Sequence, residues 1–281
     1  MIFNMLDRHY KKLALIPVVL LAISVVVLAG NILAHGSILE RDTELVGGKM
    51  ISMSVGSPDI QEVKSILPEA SVRLTKGVGS VLIVEIPVEM DEFNAFNRIK
   101  GAADARGEPT YRTVGPVIGD LFFRQTQIAL VAAFIMMSII VFIVFRSLVP
   151  SSIVVFAAAT DIVVTVAVMG FLEMKLSLAT IAALMTLIGY SVDTDILLTT
   201  NMLKSKDKEI RDRIKTAMKT GMTLTATTLV ALTALYFTTG SFIIEQIAMV
   251  LIIGLVIDIF ATWLTNAGIL RYWMERKNES A

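Results

Sequence analysis

Four aspartates stand inside long apolar runs of this sequence: Asp161, Asp193, Asp195 and Asp258. A charged side chain at the centre of a lipid-embedded helix costs about 2.5–3.5 kcal/mol on insertion scales, so such residues mark ion or proton pathways by default. Their depths follow from the rise per residue. Asp161 lies about 16 Å beyond Pro150, Asp193 and Asp195 about 16 and 13 Å before Lys204, and Asp258 about 20 Å before Arg271. One layer near the midplane could hold all four. Their neighbours at helical spacing are small or hydroxylated. Asp161 has Ala157, Ala158 and Thr165, Asp193 has Thr186, Gly189, Tyr190 and Thr200, and Asp258 has Gly254, Ala261, Thr262 and Thr265. Small residues let helices approach closely, and hydroxyls can bond a carboxyl. Asp193 and Asp195 lie about 200° apart around a helix, so one faces the bundle and the other a second surface or the cytoplasmic mouth.

Two chemistries fit this layer. It could relay protons or cations, with a change of protonation altering the helix contacts. Alternatively, the aspartates are helix-packing hydrogen bonders, protonated or paired with threonines. No lysine or arginine stands deep in any apolar run. Lys219, at the start of the fifth run, is the positive candidate, against the competing reading of an interfacial lysine that snorkels. Thr220, Thr223 and Thr227 follow it on one face with Ala231 and Ala234. Lys219, Thr223 and Thr227 therefore join the relay candidates.

These residues need elements to hold them. The chain has 281 residues, is 55% hydrophobic and has zero net charge. Its mean hydropathy is +0.73. That excess comes from six apolar runs, at residues 13–33, 128–145, 153–172, 176–200, 220–237 and 242–269, each long enough for a hydrocarbon core of about 30 Å. In lipid each must be helical to satisfy its own backbone. The first run resembles a signal peptide but is too long for one, so it reads as an uncleaved helix, with cleavage near Ala34 as the alternative. Between the first two runs lies a polar segment. Residues 48–55, 70–75, 78–87 and 109–114 read as strands, and 59–67 and 91–105 as helices, with a turn over 76–79. The order β-α-β-β-α-β predicts a ferredoxin-like sandwich.

Lysine and arginine set the orientation. Arg8, Lys11 and Lys12 precede the first run. Lys204, Lys206, Lys208, Arg211, Arg213, Lys215 and Lys219 precede the fifth, and Arg271, Arg276 and Lys277 close the chain, whereas the short loops of the other side hold only Lys175. Both termini are thus expected on the cytoplasmic side, with residues 35–125 outside. The expected organisation is 1–34 for the amino terminus and first helix, 35–125 for the external domain, 126–272 for a five-helix bundle with a basic loop at 202–219, and 273–281 for the tail. The basic loop reads as a topology signal, with contact to a partner or ribosomal RNA as the alternative.

Several classes find no support. There is no cysteine, which removes disulfides and thiol chemistry. His9 and His35 sit at opposite ends of the first run, so no metal site or cofactor is expected. Zero net charge gives no global case for nucleic acid. No nucleophile–base set occurs, and Gly47-Gly48-Lys49 lacks the phosphate-loop spacing, so no enzymatic activity is expected.

The motifs resemble the SecF family of the protein-export machinery. Gly189-Tyr190-Ser191-Val192-Asp193-Thr194-Asp195 is similar to the family's fourth-span signature, Gly-Tyr-Ser followed by residues of the Asn-Asp-Thr type. Val114-Gly115-Pro116-Val117-Ile118-Gly119 resembles its Val-Gly-Pro junction, Gly47-Gly48 its first external strand, and Thr160-Asp161-Ile162-Val163-Val164-Thr165 its third-span aspartate motif. There are departures. Asp193-Thr194 replaces the bacterial Asn-Asp, so either Asp193 or Asp195 takes the usual aspartate's part. Asp258 stands where a small or hydroxyl residue is more usual. The Asp-Thr-Asp form is closer to archaeal members.

The resemblance implies half of an RND-type (resistance–nodulation–division) assembly, with six transmembrane helices and an external α+β ferredoxin-like domain. It implies pairing with a SecD homologue, action with the Sec translocon on secreted polypeptides at the cytoplasmic membrane, and use of the proton-motive force. From the residues alone, the motif glycines and Pro116 read as fixed bends, hinges or ordinary loop punctuation. Two rivals remain open: a half-transporter for a small molecule or lipid, and a structural subunit without ion coupling.

Overall fold

The computed structural model describes residue 10 and residues 12–76, 80–204 and 209–279. Arg8, His9, Lys11, Lys206, Lys208 and the centre of the 76–79 turn lie outside the described residues. Among the described residues, six helices are long and apolar enough to cross a membrane. They are α1 (Leu15–His35), α5 (Pro116–Phe145), α6 (Leu148–Phe171), α7 (Leu178–Lys204), α8 (Ile210–Thr238) and a composite sixth. The sixth runs through α9 (Phe242–Phe260), a π turn (Ala261–Asn266) and α10 (Ala267–Glu279). The polar segment folds as α2 (Thr43–Val46), β1 (Gly48–Val55), α3 (Ile60–Ile66), β2 (Ser71–Lys76), β3 (Ser80–Ile86), α4 (Glu92–Ile99) and β4 (Thr110–Val114).

The sheet is antiparallel in the order β2-β3-β1-β4. Asp59 and Asp91 cap α3 and α4 by accepting from backbone N–H groups of the first turn. Alternate residues of the strands, such as Ile51, Met53, Leu82 and Val84, bury against Val63, Phe96 and Ile99 of these helices. The opposite sheet face turns towards the bundle. There Met50, Ser52 and Ile83 share a groove of about 290 Å³ with Ala179, Phe242 and Gln246.

Helices α4, α5 and α8 differ from the sequence expectation, α8 by starting at Ile210, inside the stretch 202–219 expected to be a basic loop. Helix α4 stops at Ile99 rather than continuing to 105, and the chain turns through Gly101 to Asp104, which adopts a left-handed φ of 46°. Helix α5 starts at Pro116, twelve residues before the apolar run at 128. Asp120 and Arg124 end the apolar stretch but not the helix, and Pro116 suits the first helical position.

Helices α6, α7 and α9 form the inside of the bundle, with about half of each apolar window buried (56%, 56% and 50%) against 11% for α1, α5 and α8. The three inner helices are those that carry the aspartates. Glycine permits their close approach: a Cβ at Gly254 would overlap the side chain of Leu187. At the junction of the two parts, Gly47 has φ 90° and its Cβ would lie 2.5 Å from Pro116 Cα, while one at Gly119 would lie 2.6 Å from Gly47 N. These backbones touch, so Gly47, Pro116 and Gly119 form a fixed crossing in this structure.

Candidate functional site

Asp161 from α6, Asp195 from α7 and Asp258 from α9 meet in the middle of the bundle, at 1%, 0% and 0% exposure. Apolar layers close the site on both sides along each helix. On the side of the sheet, Met169, Leu187 and Leu255 belong to one cluster. On the far side, Ile153, Leu198 and Trp263 belong to another.

Hydroxyl and amide groups link the carboxyls. Ser191 Oγ donates to Asp161 Oδ2 and also contacts Asp258. Thr262 Oγ1 lies 2.9 Å from Asp195 Oδ1 and 3.1 Å from Asp258 Oδ1. Asn266 Nδ2 donates to the same Asp195 Oδ1. A hydroxyl carries one proton, so Thr262 cannot donate to both carboxylates at once. A proton on either acid completes the pair, by letting that acid donate to the hydroxyl oxygen. Asp161 Oδ1, Asp195 Oδ2 and Asp258 Oδ2 are buried without a hydrogen-bond partner within the chain. No lysine or arginine among the described residues pairs with any of the three. Among the described residues, too, no cluster of three metal-ligating side chains occurs.

The π turn explains how α9 reaches this arrangement. Positions 258, 262 and 266 would drift by about 80° around a regular helix of 3.6 residues per turn. A wide i→i+5 turn absorbs about one residue of that rotation, and such turns gather at functional sites. The turn spans residues 261–266. It therefore returns Thr262 and Asn266 to the face of Asp258. Counting charged residues in apolar runs missed Asn266. Its own signal was an amide eight positions after Asp258 in an otherwise apolar stretch.

The remaining candidates lie elsewhere. Asp193 is exposed on the outer face of α7, with Thr186, Gly189 and Tyr190 also exposed. Lys219, Thr223 and Thr227 are exposed on α8, away from the three buried carboxyls. The Thr223 and Thr227 hydroxyls donate within their own helix, to the carbonyls of Lys219 and Leu224. Asp193 and Asp195 thus divide as the 200° separation requires, with Asp195 the inner one. Gly48 opens β1, and Gly115 precedes α5.

A second polar cluster, which no local sequence pattern marks, joins the sheet to the bundle. Arg73 of β2 pairs with Glu85 of β3, and Lys175, in the turn between α6 and α7, lies 2.8 Å from the other Glu85 oxygen. Asp42 is 3.7 Å from Arg73. Burial, then a hydrogen bond with Glu85 and its negative charge, raise Asp42 to about 7. Burial also opposes ionisation of Glu85, but the Asp42 hydrogen bond, Arg73 and Lys175 outweigh it and hold Glu85 below the usual range.

Comparison with known proteins places the chain. Residues 97–276 match the family model of the protein-export membrane protein SecD/SecF, C-terminal. The chain belongs to this family. A protein-export membrane protein SecF from Pyrococcus furiosus is 36% identical over 278 residues, covering 97% of this chain and 94% of that protein. The SecF from Methanothermobacter thermautotrophicus is also 36% identical, covering 95% and 94%. The crystal structure of SecDF from Thermus thermophilus, described as a translocon-associated membrane protein, shares the fold with a TM-score of 0.76 at 19% identity. That match covers 94% of this chain, which spans only 38% of the SecDF chain. The family and the six long apolar helices make this a multi-pass membrane protein.

Proposed function

We propose that the chain is the SecF subunit of a SecD–SecF complex that assists Sec-dependent export of polypeptides, with protonation of the buried aspartates coupling the proton-motive force to that work. Membership of the SecD/SecF family and the full-length likeness to SecF proteins support the export role. One observation carries the coupling: three carboxyls share a buried layer, with no lysine or arginine among the described residues paired to them, bridged by hydroxyls that have too few protons for them all. Three buried negative charges so close together are prohibitive in low dielectric, so the layer holds protons and can exchange them. Ion passage then requires one of the flanking apolar layers to part.

The exposed stripe of Thr186, Tyr190 and Asp193 on α7, with Lys219, Thr223 and Thr227 on α8, supports a partner bundle. A carboxylate facing lipid at mid-helix is costly, and a SecD homologue's helices would cover it. The basic flanks favour cytoplasmic termini, with the sheet domain outside, near the exit of the translocon.

Export of a secreted reporter in cells tests the reading. Asp161→Asn, Asp195→Asn and Asp258→Asn should each lower export at least tenfold while the partner still co-purifies. Wild-type export from all three, with the complex intact, would leave a structural subunit instead.

A further inference from the structure

The three inner helices enter the outer half of the molecule differently. Helices α6 and α7, which carry Asp161 and Asp195, are joined by a turn of six residues, 172–177, and this turn is tied into the sheet domain at two levels. Its backbone pairs with the linker that follows α1. Leu176 N donates to Glu40 O at 2.7 Å, and Asp42 N donates to Leu176 O at 2.8 Å, forming a parallel bridge of Arg41 with Leu176. Its side chain reaches the sheet. Lys175 Nζ contacts Glu85 Oε2 at 2.8 Å and donates to Ser71 Oγ at 3.2 Å. Glu85 is 4% exposed and also binds Arg73, whose guanidinium stands 5.4 Å from the Phe242 ring at the start of α9.

We propose that Lys175 is a positioning residue that clasps the α6–α7 hairpin to the sheet domain through Glu85, so that movement of Asp161 and Asp195 is passed to that domain. The proposal rests on the coupling reading above and adds its mechanical route. Asp161 lies about 15 Å along α6 from the turn, and Asp195 about 26 Å along α7. Helices transmit displacement over such lengths because their backbones are internally bonded. A flexible turn would dissipate it, whereas a turn held by two backbone hydrogen bonds and a buried ion pair does not. Breaking the Lys175–Glu85 pair takes from buried Glu85 one of the two cations that hold it charged and leaves it Arg73 alone. The same turn could have been an unremarkable loop, since the α6–α7 connection is short enough to close alone. Lys175 is the feature that closure does not need.

The chain has no cysteine, so two introduced cysteines are the only ones it offers to a label, and the partner is prepared without reactive cysteines. Spin labels at Glu62→Cys on α3 and Phe171→Cys at the end of α6, both exposed, report the distance between sheet domain and hairpin in the purified complex. Wild type and Lys175→Arg should give one narrow distance distribution and full export. Lys175→Met, and Glu85→Gln as a second route to the same break, should broaden the distribution and lower export about tenfold. Asp161→Asn should lower export while keeping the narrow distribution. A narrow distribution or wild-type export in both Lys175→Met and Glu85→Gln would overturn the clasp, even if Asp161→Asn loses export. Wild-type export in Asp161→Asn would instead overturn the coupling reading and the transmission role built on it. The broadening by Lys175→Met would then show only a static tie, which contradicts the proposal as stated.

Discussion

Around Glu85 two carboxyls meet two cations; around Asp258 three carboxyls meet none among the described residues. Both places are buried, so the contrast isolates what a counter-charge does. At the outer cluster, Arg73 and Lys175 fix the charge of Glu85, and the ion pairs hold parts of the molecule together. In the membrane layer, hydroxyls and an amide replace the cations. They accept either charge state of a carboxyl with a small change in geometry, which suits a group that must gain and lose protons.

The contrast can be broken at either end. The largest effect on stability belongs to the outer cluster. Glu85→Gln takes the carboxylate from Lys175 and leaves Arg73 only Asp42, and because both cations are partly exposed the cost should be about 2–3 kcal/mol rather than the full penalty of a buried pair. Thermal unfolding of the purified complex measures it. Asp258→Asn should cost less than about 1 kcal/mol by the same measurement, since it strands no opposite charge, yet it should lower export at least tenfold. If the two substitutions behave alike in both assays, the distinction fails.

Asn266→Ala sharpens the account within the layer. It removes one donor to Asp195 and leaves Thr262 in place. A loss of about 1–2 kcal/mol in stability is expected, with an export defect smaller than that of Asp195→Asn.

The last test is the pH dependence of the outer cluster. Asp42 is raised from 3.8 to about 7, faced by Glu85 from β3 and Arg73 from β2, with Lys175 beyond Glu85. Between these values the folded state binds a proton that the unfolded state does not. Stability should therefore fall as pH rises from about 4 to about 7 and level off above it. Glu85, held low, contributes the opposite sign only below its ordinary value of 4.5. Unfolding measured across this range should slope downward in wild type and flatten in Asp42→Asn.

Much of the architecture was legible because lipid leaves few choices. Six apolar runs had to be helices, and Asp161, Asp195 and Asp258 converge as their depths from the flanks suggested. Alternation gave the strands, and Asp59 and Asp91 marked helix starts by their capping chemistry. What stayed hidden depends on distance in sequence or on broken periodicity. Asp42, Arg73, Glu85 and Lys175 come from four separate elements, and no local pattern joins them. Lys175 carried information only as one cation on the sparsely charged side. Asn266 escaped because face counting assumes 3.6 residues per turn, and the π turn at 261–266 violates that assumption. Helix α2 is too short for periodicity to reveal.

The account stands on protons entering and leaving the Asp161–Asp195–Asp258 layer. Purified complex in liposomes loaded with a pH-sensitive dye, under an imposed proton gradient, measures this without export. The account predicts a flux in wild type that Asp258→Asn reduces to the level of empty liposomes. Equal flux through wild type and Asp258→Asn, or none through wild type, would contradict it.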